Sequence, residues 1–131
     1  MTTLESKIVP LQKTAQEAFA FTSNFKNFGK LMPEQVINYE STENTCSFTI
    51  QGMASLSMQH EKLTPNSEIV IIPNGKVPFG FKLFVLFTET GTESSVQIKM
   101  DADLNPLFKM MAEKPLTNFL NLLAEKLPTV L

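Results

Sequence analysis

The 131-residue sequence predicts one α+β domain, a curved antiparallel sheet packed on a long C-terminal helix. Three observations carry this expectation. From Glu34 to Asp101, segments with period-two apolar patterning follow one another with only short turn signals between them. Strands that close together pair antiparallel, because a parallel return needs a longer crossover. Ahead of them lie two short helical stretches with their own capping residues, and after Asn105 the apolar period becomes helical to about Leu127.

Taken in order, Leu4 to Val9 is a short strand ended by Pro10. Thr14-Ala15-Gln16-Glu17 is a capping box, opening a helix that carries Ala18, Phe19 and Phe21 to about Thr22. Ser23 or Asn24 caps a second short helix with Phe25, Phe28, Leu31 and Met32, which Pro33 stops. Cys46, Phe48 and Ile50 then alternate with polar residues, as do Ala54, Leu56, Met58 and His60, and again Val96, Ile98 and Met100. Alternation of this kind describes a strand with one wet and one buried face. Ile69 to Ile72 and Phe79 to Phe87 are apolar on both faces. Turn signals stand at Glu43-Asn44, Gln51-Gly52, Pro65-Asn66, Asn74-Gly75 and Thr90-Gly91. Six strands thus follow the short helices and, with the N-terminal strand, make a seven-stranded sheet.

Asn105-Pro106 opens the last helix, a capping residue followed by proline at the first helical position. On a helical wheel Phe108, Met111, Ala112, Leu116, Phe119, Leu120, Leu122, Leu123 and Leu127 share one arc, with Lys114, Thr117, Asn118, Asn121 and Glu125 opposite. Pro115 falls inside the helix and predicts a kink in a single helix, since the apolar arc keeps its phase across it. Pro128 is read as the stop.

Composition narrows the function classes. Hydrophobic residues make up 43% and charged residues 18% of the chain, a globular balance. Net charge is −2 with no basic stripe, which argues against nucleic acid as a partner. All eleven basic residues are lysines, and the absence of arginine disfavours a phosphate or dicarboxylate ligand. Cys46 is the only cysteine, so no disulfide forms within the chain. The N-terminus lacks the apolar core of a signal peptide, and no apolar run approaches the ~20 residues of a membrane span. A bacterial-style cytoplasmic location is the expectation.

The order of elements resembles the SRPBCC superfamily, the helix-grip fold of START lipid-transfer domains, birch-pollen-allergen-like proteins and polyketide cyclases. The local phrases that carry it are Thr14 to Phe21, Leu31-Met32-Pro33 entering the second strand, and Asp103-Leu104-Asn105-Pro106 opening the last helix. They are similar to those of small bacterial members, and the likeness spans residues 1–131 as one domain. It implies a cavity between sheet and helix for a lipid, sterol or polyketide. Two departures argue for a small ligand: Glu40 to Asn44 holds no glycine where the allergen branch has a glycine-rich loop, and the chain is shorter than START domains.

The expected function is therefore non-catalytic binding of a small hydrophobic ligand, a lipid, fatty acid or isoprenoid, with no cofactor and no metal. The expected cavity lining is Leu56, Met58, Phe81, Leu83, Phe108, Met111 and Phe119, drawn from a surplus of phenylalanine and methionine that also suits plain core packing. His60, the only histidine, shares the strand phase of Leu56 and Met58 and is the candidate polar anchor. Residue statistics instead favour a solvated place at the rim. Tyr39 offers a hydroxyl to a head group or to the surface. Asp101 and Asp103 are read as exposed residues leading into the helix rather than as metal ligands. Two alternatives stand beside the carrier reading: a cyclase or dehydratase with His60 as acid–base, and an interaction module of the chaperone-activator kind using exposed Phe79 or Met110. The chain is expected to be a monomer or weak homodimer.

Overall fold

In the computed structural model, which describes residues 1–131, the alternating segments form one antiparallel sheet of eight strands. The strands are β1 (Thr2–Glu5), β2 (Val9–Leu11), β3 (Val36–Ser41), β4 (Thr45–Ile50), β5 (Ala54–Thr64), β6 (Glu68–Pro73), β7 (Phe81–Thr90) and β8 (Glu93–Ala102). Between β2 and β3 come α1 (Ala15–Thr22), α2 (Phe25–Phe28) and a 3₁₀ turn at Gly29–Leu31. The chain closes with α3 (Pro106–Val130). From β3 to β8 each strand pairs with the next, and β1 returns to pair with β8.

The expected single N-terminal strand is two, which makes eight strands rather than seven. Both β1 and β2 pair with β8, Leu4 opposite Met100 and Val9 opposite Val96. Between them Ser6 keeps the ladder satisfied in a different way. Its N–H donates to the Ile98 carbonyl at 2.8 Å, while its hydroxyl oxygen accepts from the Ile98 N–H at 2.9 Å. A side-chain oxygen thus stands where a strand carbonyl would, and the backbone is free to buckle outward. The Lys7 N–H then reaches the Asn121 side chain at 2.7 Å, fastening the buckle to α3. Period and hydropathy do not reveal a hydroxyl standing in for a carbonyl.

The helix caps form as their residues dictate. Thr14 Oγ1 accepts from the Glu17 N–H, and Asn24 and Asn105 side chains cap α2 and α3 in the same manner. Pro115 lies within one continuous helix, but Pro128 does not stop it, and the last turn runs on to Val130. Twenty-five residues at ~1.5 Å each let α3 cross the whole sheet. Leu116, Leu120, Leu123 and Leu127 are fully buried beneath it against Ile98, Met100 and their neighbours. Met111 and Leu122, at the edge of the wheel's apolar arc, are instead exposed, so the buried stripe is narrower than expected.

The short helices close one end of this core. Phe25 and Phe28 are completely buried, edge to face at 5.5 Å. Tyr39 on β3 locks them down: its hydroxyl donates to the Phe25 carbonyl at 2.7 Å, and its ring packs on Phe48 at 6.0 Å. The ring also lies flat over Gly29, where an added Cβ would stand 2.6 Å from it. Gly29 has ordinary helical φ, so only this crowding demands glycine. In an open helix Gly→Ala stabilises; here Gly29→Ala should cost about 1–3 kcal/mol, because the tethered ring cannot step aside. An unchanged urea midpoint would contradict that placement of Tyr39.

Candidate ligand groove

One opening that sheet and helix leave lies at the N-terminal end of α3. A groove of about 360 Å³ runs between the start of that helix and the β4–β5 turn. Phe108, Met111, Ala112, Pro115, Asn118 and Phe119 form its helical wall. The facing wall comes from Gln35, Ile50, Gln51, Gly52 and Met53. The turn is tight because Gly52 takes φ +77°, and the Met53 N–H donates to the Ile50 carbonyl at 3.0 Å. That turn aims Met53 across at α3, while Gln35, whose carbonyl accepts from the Gln51 N–H, closes the side.

The groove is apolar with a few polar groups. Its polar side chains are the amides of Gln35, Gln51 and Asn118, and it has no charged residue. It can therefore hold an apolar body and hydrogen-bond a neutral polar end. It offers a carboxylate no counter-charge.

Three of the eight residues expected to line a cavity meet here: Phe108, Met111 and Phe119. Leu56, Met58 and Leu83 lie elsewhere, packed in the centre of the core, and Phe81 is buried beside Phe79. Between sheet and helix, where a cavity was expected, Phe48 packs on Phe119 at 6.0 Å. Whether methionines and phenylalanines fill or line a space depends on their rotamers, which alternation does not encode. Gln35, Met53, Pro115 and Asn118 were not anticipated. The one available signal was Met53, a large apolar side chain set directly after a Gln-Gly turn.

His60 points inward, as its strand phase suggested, and not to the solvated rim. Its ring stacks on Phe25 at 4.3 Å with 9° between planes. The residue as a whole is partly buried, yet both ring nitrogens are shielded from water and neither has a hydrogen-bond partner. It is not among the residues that line this groove. No carboxylate orients it through either nitrogen. Burial holds its pKa below the ordinary value.

Unpaired nitrogens in that position cost stability, about 1–3 kcal/mol for a buried group left unsatisfied. His60→Phe keeps the stack on Phe25 and removes them, so it should stabilise the protein by about 1 kcal/mol at neutral pH. The sign of the pH effect follows from the lowered pKa. The unfolded chain takes up its proton first, so stability present above about pH 6.5 is lost as pH falls through that value. The gap between His60→Phe and wild type should therefore widen from pH 7 to pH 5 in thermal melts. A constant gap would mean that the imidazole is not desolvated.

The remaining reactive side chains are quiet. Burial pushes the Cys46 thiol up to about 12, and burial together with Cys46 raises Tyr39 well above its usual range. A thiol so raised is no nucleophile at neutral pH. Asp101 and Asp103 stay apart from any cluster, and no three His, Cys, Asp or Glu side chains gather into a metal site. No helix is long and apolar enough to cross a membrane.

An eight-stranded antiparallel sheet gripping one long C-terminal helix, with two short helices at its end, is a START-like fold. Solved structures bear this out. A START superfamily protein from Mycobacterium smegmatis superposes with a TM-score of 0.70 at 14% identity, covering 98% of this chain and 95% of that one. The protein XoxI from Bacillus cereus gives 0.78 at 9% identity, over 99% and 95% of the two chains. A protein from Thermus thermophilus gives 0.75 at 11% identity, over 98% and 95%. By sequence, no protein-family model and no curated protein matches the chain. At such identities the likeness is one of fold.

Proposed function

We propose that the protein binds a small apolar ligand with an uncharged polar end in the groove between α3 and the β4–β5 turn. The observation that carries this reading is the groove's composition: Ile50, Met53, Phe108, Met111 and Phe119 for the apolar body, three amides for the head, and no charge. Its size, about 360 Å³, falls at the low end of ligand sites and suits a short isoprenoid or medium-chain alcohol. The START-like fold supports a carrier of this kind, and the fold comes without an acid–base pair at the groove. An acid–base role for His60 draws no support from a ring that is stacked in the core and touches neither the groove nor an orienting partner.

The test is a thermal-shift comparison of geraniol, decanol and decanoate, after native mass spectrometry of gently purified protein. Ligand at a hundredfold over Kd stabilises by about 2.7 kcal/mol. The alcohols should raise the Tm and the carboxylate should not. A larger shift with decanoate would refute the uncharged-head assignment, and none with any apolar compound would refute the carrier reading.

A further inference from the structure

The outward face of the first two turns of α3 is apolar, although the rest of that face is polar. Leu107, Met110 and Met111 are 71%, 84% and 69% exposed. Phe108 and Ala112 of the same turns look inward to groove and core. Spacings of three and four residues make the exposed trio one contiguous patch. Further along, the same face carries Lys114, Asn118, Asn121 and Glu125. A stretch of helix that is apolar on both sides calls for something to cover it.

We propose that this patch docks on the interface of a bilayer containing anionic lipid, setting the mouth of the groove against the acyl layer. The proposal rests on the apolar-ligand reading of that groove, to which Met111 joins the patch. Area favours a bilayer over a second copy of the chain. The three side chains present on the order of 400 Å², about half the ~800 Å² per partner that a stable dimer buries. Interfacial binding has no such threshold, because it grows with whatever apolar area enters the head-group boundary.

Charge points the same way. Lys109 and Lys114 flank the patch, and Lys76 lies in the turn that brings Phe79 to within 5.6 Å of the Phe108 ring centre. Against these three stand Glu113, which pairs with Lys109 at 3.7 Å, and Asp103 beside Gly80. With Lys109 held by Glu113, Lys114 is the lysine beside the patch that no acid pairs. Lysines next to an apolar helical face are what an anionic lipid surface attracts.

Co-sedimentation with phosphatidylcholine vesicles, with and without about 30% phosphatidylglycerol, tests this. Wild type should sediment with the anionic vesicles, less with the neutral ones, and less again as salt rises. Leu107→Gln/Met110→Gln, which replaces no residue lining the groove, should lower the partition by about tenfold or more. The same double variant should keep the full geraniol shift. Wild type left in the supernatant with anionic vesicles, or sedimentation unaltered in the double variant, would overturn the docking. So would a concentration-dependent dimer on a sizing column that the double variant abolishes, since a second copy would then cover the patch. Vesicle binding without any ligand shift would instead refute the groove reading and leave the docking standing.

Discussion

Phe25→Ala should lower stability by about 3–5 kcal/mol, the largest loss expected of any single truncation near the short helices. The ring is wholly inaccessible to solvent, holds Phe28 edge-on at 5.5 Å and stacks on His60 at 4.3 Å. Its backbone is fixed at both ends, the N–H to the Glu43 carbonyl at 3.1 Å and the carbonyl to the Tyr39 hydroxyl. Fixed main chain cannot collapse into the space that the ring vacates, so the cavity term adds to the lost transfer energy. For a domain of this size the Tm should fall by about 10–20 °C. Phe21→Ala is the control, since that ring is only partly buried beneath Lys30 and should cost much less. Equal losses at the two positions would mean that α2 is not the plug of the core.

Asn118→Trp should abolish ligand binding while sparing the fold. Asn118 is exposed on α3 and forms one lip of the groove. An indole there lies over the mouth and fills the space between the helix and the β4–β5 turn, and it also removes one amide. Substitution of an exposed residue shifts stability by about 0.5 kcal/mol or less, so the ligand-free melt should hardly move. The stabilisation of about 2.7 kcal/mol expected at saturating geraniol should vanish. Retention of the shift would place the ligand elsewhere in the molecule.

The fold was legible in the sequence because its signals are local and mutually consistent. Alternation at Cys46–Ile50, Leu56–His60 and Val96–Met100 reports which face is buried, and caps at Thr14, Asn24 and Asn105 report where helices start. What escaped was set by single atoms acting across the chain. The Ser6 hydroxyl that replaces a ladder carbonyl splits one strand into two, and Pro128 is absorbed in the final turn of α3.

The groove was less legible than the fold. Phe108 and Phe119 could be read as facing the sheet, but their partners Gln35 and Met53 come from a loop and a turn, to which periodicity assigns no face. For His60 strand phase pointed inward and residue statistics to the rim, and its stacking on Phe25 and separation from the groove depend on how α2 seats, a tertiary fact. Met111 sits at the margin of the apolar arc, where a wheel cannot separate a buried side chain from one on the rim.

The seven methionines give the most direct test, because their methyl groups report from every layer of the molecule. With methyl-labelled methionine and rising geraniol, the Met53 and Met111 resonances should move together and saturate, while Met58 and Met100 in the packed core stay fixed. Movement of Met58 and Met100 with Met53 unmoved would put the ligand deep between sheet and helix, and would contradict a binding site at the helix's exposed end.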